Sequence, residues 1–154
     1  MKKVIVCLSF LLLCANVYSQ GTQKEDIAGV KRACFDYIDA FYKVDTTLAY
    51  RSVHPSLQKR GFYFNPKDGA YTKQLEMPFA ALIKLAKKWN KSGEEANESS
   101  PREVVVFEVS DKTATAKVTA VWGIDYMHLI KEDGKWYIVN VLWQSPPKFM
   151  AKGE

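Results

Sequence analysis

The chain has 154 residues, 47% of them hydrophobic, and a formal net charge of +5, which is enough chain and apolar mass for one domain with its own core. The basic excess is spread along the sequence with no dense Lys/Arg cluster, so nucleic acid is discounted as a partner. No apolar run after the first twenty residues is long enough to span a bilayer.

The amino terminus has a short basic end (Lys2, Lys3), an apolar run from Val4 to Ala15 and a polar exit through Asn16, Tyr18, Ser19 and Gln20. That is the three-part order of a secretory signal, and the run falls short of the roughly 20 residues a membrane span needs. The sequence therefore predicts a leader over residues 1–19, cut after Ser19, and a single exported domain over 20–154, periplasmic or secreted. Leu13, bulky and directly before Cys14, argues against lipid attachment at that cysteine. Cleavage removes Cys7, Cys14, Lys2 and Lys3, leaving one thiol, Cys34, and a charge of +3. One cysteine forms no internal disulfide, so the core must hold the domain. Cys34 sits on an apolar stripe and reads as an inert buried thiol.

From Gln23 to Lys43, Ile27, Val30, Cys34, Ile38 and Phe41 recur at three- and four-residue steps, one face of a long helix bordered by Tyr37. Asp45 before Thr46-Thr47-Leu48 starts a shorter helix that must end before His54-Pro55. Leu57 to Phe64 reads as a strand, Asn65-Pro66-Lys67-Asp68-Gly69 as a turn, and Ala70 to Leu75 as the returning partner. A third helix starts at Pro78 and carries Phe79, Leu82, Ile83, Leu85, Ala86 and Trp89. The stretch Ser92 to Arg102 is a polar surface loop.

Three strands close the chain: Glu103 to Val109, Thr113 to Ile130, and Trp136 to Trp143. Helices first and antiparallel strands last predict an α+β domain with helices on one face of a single sheet. The 18-residue middle strand exceeds the usual strand length and must bend, with Gly123 the natural place. Its even positions, Ala114 through Trp122, Ile124, Tyr126, His128 and Ile130, form the expected buried set. Glu132-Asp133-Gly134 reads as a three-residue hairpin loop, which pairs His128 with Ile138 and Tyr126 with Asn140.

One face then collects Trp122, Tyr126, His128, Trp136 and Asn140, an apolar wall with polar tips and hence the candidate ligand pocket. Tyr37, Asp125 and His54 are further candidates. The other face, with Val121, Met127, Leu129, Tyr137, Val139, Val141 and Trp143, is also apolar and predicts a cover, for which a second copy of the chain is the choice. Two distant histidines offer no metal spacing, and glycine-rich phosphate loops and nucleophile elbows are lacking, so no metal and no cofactor are expected.

The run Gly123-Ile124-Asp125-Tyr126-Met127-His128-Leu129-Ile130-Lys131, followed by Asp133-Gly134-Lys135-Trp136-Tyr137-Ile138-Val139-Asn140, resembles the family described as putative lumazine-binding, small bacterial proteins of the nuclear transport factor 2-like superfamily. His54-Pro55-Ser56-Leu57 with Lys59-Arg60 resembles the segment that family places after its second helix. The resemblance implies a cone-shaped, cystatin-like α+β fold, three amino-terminal helices on a strongly bent antiparallel sheet, with a pocket at the open end. It implies a small-molecule-binding protein without established catalysis; the leader makes it an exported one, and stacking surface on Trp122, Tyr126 and Trp136 with hydrogen bonds from His128 and Asn140 makes its ligand a small, flat, partly polar organic molecule. The alternative from related folds is an isomerase or dehydratase in which His128 removes a proton beside a carbonyl.

Overall fold

A computed structural model describes residues 23–146, so the leader expected over residues 1–19 lies outside the described residues. Three helices lie on a six-stranded mixed sheet of order β4-β1-β8-β7-β6-β5, and a two-stranded ribbon, β2-β3, stands apart. The expected α+β cone is the observed architecture, with one departure: the sheet is not antiparallel throughout, because β1 (Val53–Phe62) runs parallel to β8 (Lys135–Gln144).

Helix α1 (residues 23–42) buries Val30, Cys34, Tyr37, Ile38 and Phe41 on the inner sheet face, as its three- and four-residue spacing requires. Helix α2 (Thr46–Ser52) is capped by Asp45, whose carboxylate accepts from the Thr47 backbone N–H at 2.9 Å. β1 follows directly, and β4 (Leu75–Pro78) returns beside it, past the ribbon of β2 (Phe64–Asn65) and β3 (Ala70–Tyr71). Helix α3 (Phe79–Ala86) leaves from Pro78 and buries Leu82 and Ala86. The polar loop that follows is organised by Asn90, which donates to the Tyr42 and Ala96 carbonyls and accepts from the Glu95 and Ala96 N–H groups.

The long strand expected over Thr113 to Ile130 is two strands. β6 (Thr113–Ala120) and β7 (Gly123–Glu132) form a hairpin in which Ala120 faces Gly123. The chain reverses at Val121-Trp122 instead of bending, and this reversal inverts the alternation: residues 120 and 123 share a face, so even positions point inward before the turn and odd positions after it. Ala114, Ala116, Val118 and Ala120 are buried, and then Gly123, Asp125, Met127 and Leu129. Gly123 has φ +125, a conformation open to glycine, and a Cβ there would lie 2.1 Å from the Gln144 carbonyl oxygen.

The following turn is also tighter than expected. Glu132 pairs with Lys135 across Asp133-Gly134, whose φ values of 47 and 77 are both positive. Asp-Gly favours such two-residue turns because both central residues must adopt the left-handed region. A bulge between His128 and Leu129 then sets His128 opposite Asn140 and Tyr126 opposite Leu142. The register derived from a three-residue loop was therefore displaced. β5 (Arg102–Val109) completes the sheet at one edge.

Candidate functional site

The site begins with the inner rows of the sheet. Gly61, Trp143, Asp125, Val118 and Val104 lie side by side across β1, β8, β7, β6 and β5, and Lys59, Val141, Met127, Ala116 and Val106 form the next row. On β1, alternation turns Leu57, Lys59 and Gly61 inward, so a lysine side chain enters the interior. At Gly61 a Cβ would meet the Trp143 carbonyl oxygen at 2.1 Å and its ring at 2.4 Å, so only glycine lets the Trp143 ring lie over this position.

Lys59 is 6% exposed and Asp125 wholly buried. The Lys59 ammonium donates to Asp125 Oδ1 at 3.0 Å and to the Tyr37 hydroxyl oxygen at 2.5 Å, while the Trp122 indole N–H donates to Asp125 Oδ2 at 2.7 Å. Each carboxylate oxygen is thus satisfied, which a buried charge requires. The Tyr37 hydroxyl is held protonated, its pKa pushed well above the usual value by burial and then by the negative charge and hydrogen bond of Asp125. Cys34, behind this cluster and 3.9 Å from the Met127 sulfur, has its thiol pushed up to about 12 by burial first and by Asp125 second. It is buried, as expected.

Above the cluster opens a cavity of about 360 Å³, lined by Tyr37, Phe41 and Lys59 at its base, by Trp89, Trp122 and Trp143 on its walls, and by Tyr63, Met77, Leu85, Glu95, Ser145 and Pro146 among others. Its aromatic walls brace one another: Trp89 and Trp122 lie edge to face 5.3 Å apart at 86°, Tyr37 and Phe41 edge to face 5.5 Å apart, and Phe41 and Trp122 tilted 5.2 Å apart. Tyr42 pins the rim. Its hydroxyl donates to the Pro101 carbonyl at 2.6 Å and accepts from the Val121 N–H at 2.9 Å, tying the 120s turn to the polar loop. The arrangement can hold a flat, largely apolar molecule and meet it with one polar floor.

Of the eight residues expected to form the site, the structure brings together Tyr37, Trp122 and Asp125 at this cavity. The other five are elsewhere. Tyr126 and His128 are exposed on the outer sheet face, because the β6–β7 reversal inverts the alternation that had placed them inside. Asn140, opposite His128, is also on that side and donates to the Gln58 carbonyl at 3.3 Å. Trp136 is buried at the other end of the sheet, its indole N–H on Asp26 at 3.0 Å. His54 is bound locally, Nδ1 to the Ser56 hydroxyl at 2.6 Å and Nε2 to Glu132 at 3.3 Å.

His128 lies outside this cavity, in a groove of the outer face with Thr113, Thr115 and Ile130, and Asp125 faces the other side of the sheet. The face assigned to a covering partner is corrected by the same inversion. Met127, Leu129 and Val141 belong to the core, Tyr137 stays on the outer side, and the exposed apolar groups of that side include Val105, Phe107, Tyr126 and Leu142. Lys59, Trp89 and Trp143 were not anticipated at the site. Among the described residues no group of three or more His, Cys, Asp or Glu side chains is placed to hold a metal ion.

Residues 25–144 match the family described as "Putative lumazine-binding". No curated protein matches the sequence. Among solved structures, the fold is similar to a nuclear transport factor 2-like protein of unknown function from Silicibacter pomeroyi, with TM-score 0.58, 16% identity, and 80% of this chain and 98% of that one covered. It is similar to a nuclear transport factor 2-like protein with a cystatin-like fold from Novosphingobium aromaticivorans, with TM-score 0.58, 13% identity and 91% of each chain covered. A third, described as a "Putative Scytalone Dehydratase" from Novosphingobium aromaticivorans, has TM-score 0.54, 14% identity and covers 83% of this chain and 89% of its own.

Proposed function

We propose a binding function for this chain, which belongs to the family described as putative lumazine-binding: its cavity holds a small, flat, partly polar organic molecule. The observation that carries this reading is a cavity of about 360 Å³ whose walls are aromatic and whose floor is polar, Lys59 and Tyr37, with Asp125 buried directly behind them and bonded to Lys59. Ligand pockets have this composition, apolar walls for contact area and a few fixed polar groups for orientation. Stacking on Trp89, Trp122 or Trp143 favours a conjugated ring system, and Lys59 favours one bearing a hydrogen-bond acceptor. The family description makes pteridines and flavins the first compounds to try.

The test is tryptophan fluorescence and thermal shift with a panel of pteridines and flavins. Saturable quenching with a raised melting temperature supports the reading, and loss of both in a Leu85→Trp variant that fills the cavity places the ligand there. No quenching and no shift across the panel, or quenching indifferent to Leu85→Trp, overturns it.

The leader read in residues 1–19 supports export, with the domain working in the periplasm or outside the cell. The outer sheet face supports a homodimer: Phe107 is 59%, Leu142 50% and Tyr126 48% exposed, on the side away from the helices.

A further inference from the structure

We propose that Lys59 captures aromatic aldehydes covalently, as an imine, at the floor of the cavity. The inference rests on the binding function above and adds a chemical step to it. It stands on three groups in contact where a ligand would end: an amine, Lys59 Nζ; a carboxylate, Asp125 Oδ1, at 3.0 Å; and a protonated phenol, Tyr37, at 2.5 Å. Imine formation needs these three roles, a nucleophile, a base that takes its proton, and an acid that serves the carbonyl oxygen.

The steps balance. Lys59 passes a proton to Asp125, and its freed electron pair attacks the aldehyde carbon, forming the C–N bond. Tyr37 protonates the carbonyl oxygen as the C=O π bond opens and recovers a proton from the nitrogen, giving the neutral carbinolamine. Asp125 returns its proton to the hydroxyl, the C–O bond breaks, and water leaves as the nitrogen pair forms the C=N bond. The sum converts an ammonium and an aldehyde into a protonated imine and water. One positive charge is present before and after, so Asp125 keeps a counter-ion at both ends and no lone buried charge is created.

The walls choose the aldehyde. Phe41, Trp89, Trp122 and Trp143 admit a flat ring system, and the amine lies at the base, so an aromatic ring carrying its carbonyl at the leading edge reaches Lys59. The Trp122 indole, bonded to Asp125 Oδ2 at 2.7 Å, keeps the carboxylate aimed at the amine. Among the described residues no other lysine lines this cavity.

The experiment uses 2-naphthaldehyde with sodium cyanoborohydride, which reduces an imine to a stable secondary amine, followed by intact-mass measurement and peptide mapping. The expected result is a single naphthylmethyl adduct on Lys59, formed at least tenfold faster than on the average other lysine. Asp125→Asn should slow it at least tenfold, and Lys59→Arg should leave only slow labelling elsewhere. The unreactive isostere 2-naphthalenemethanol, followed by tryptophan quenching, separates the two readings. If the alcohol binds and Lys59 is labelled no faster than surface lysines, the imine proposal is overturned and binding stands. If neither probe engages the cavity, both fall. The labelling map of the unsubstituted protein decides even if a variant fails to fold.

Discussion

At the residue scale the molecule is organised around a charge pair that the hydrophobic effect opposes. Asp125 is wholly buried and Lys59 nearly so, and two charges taken from water recover that cost only when every lone pair and proton is met. Lys59→Met removes one partner and leaves a bare carboxylate facing Tyr37 and Trp122. We expect a loss of about 3–5 kcal/mol in urea denaturation. The double variant Lys59→Met with Asp125→Leu should recover most of it, a coupling that simple loss of packing would not produce. Asp39 gives a second, pH-dependent case. Burial raises its pKa, but bidentate bonds from Arg102 at 2.6 and 2.7 Å and a bond from Lys43 at 2.9 Å outweigh burial and leave it below its usual 3.8. A carboxyl depressed in the folded state contributes stability that is complete above its unfolded value and lost as pH falls through the folded one. The parent protein should therefore lose stability below about pH 4 faster than Asp39→Asn does, with the variant less stable at neutral pH, both read from denaturation midpoints across pH 2–7.

At the element scale two short turns decide which side chains meet. The long amino-terminal helix, the Asp45 cap, the start of α3 at Pro78 and the final hairpin were all legible, because periodicity and cap chemistry are local. The reversal at Val121-Trp122 was not, since neither residue is a turn former and the alternation of β6 runs unbroken into Trp122. Asp133-Gly134 carried the turn signal, but counting Glu132 into the loop displaced the register by one, and the bulge at His128-Leu129 displaced it by one more. Each misplacement costs a whole face, because side chains alternate with period two. Lys59 was visible in principle: Leu57, Lys59 and Gly61 share a parity, and a lysine on an inward face is the signal of a buried charge. What the sequence could not supply was its partner, 66 positions away. Gly61 tests the element argument. A methyl there would collide with the Trp143 carbonyl and ring, so Gly61→Ala should destabilise by about 1–3 kcal/mol from overpacking. It should also shift the Trp143 fluorescence and weaken pteridine binding, whereas Gly69→Ala, strained at φ +62 but on the β2–β3 turn outside the cavity lining, should leave that binding unchanged.

At the scale of the whole molecule the sheet separates two surfaces with different work to do. The inner face carries the core and cavity. On the outer face, Val105, Lys117, Tyr126, Leu142 and Arg60 lie abreast across five strands, and Glu108, Thr115, His128, Asn140 and Gln58 form the neighbouring row. Apolar side chains in the middle of such a face, with charged ones at Lys117 and Arg60 among them, have the composition of an interface with a polar component. A two-fold axis through the sheet would bring each row against its copy and leave both cavities open on the helical side. On this reading the protein sediments as a dimer at micromolar concentration. Tyr126→Asp and Leu142→Asp each put a charge into the contact without touching the core, and each should weaken association roughly 30-fold, the cost of losing one central interface residue. Pteridine quenching should persist in the resulting monomer, because none of the residues lining the cavity lies on that face. A parent protein that sediments as a monomer at micromolar concentration would sink the dimer, and a monomeric variant that no longer binds would show that the cavity depends on the partner copy.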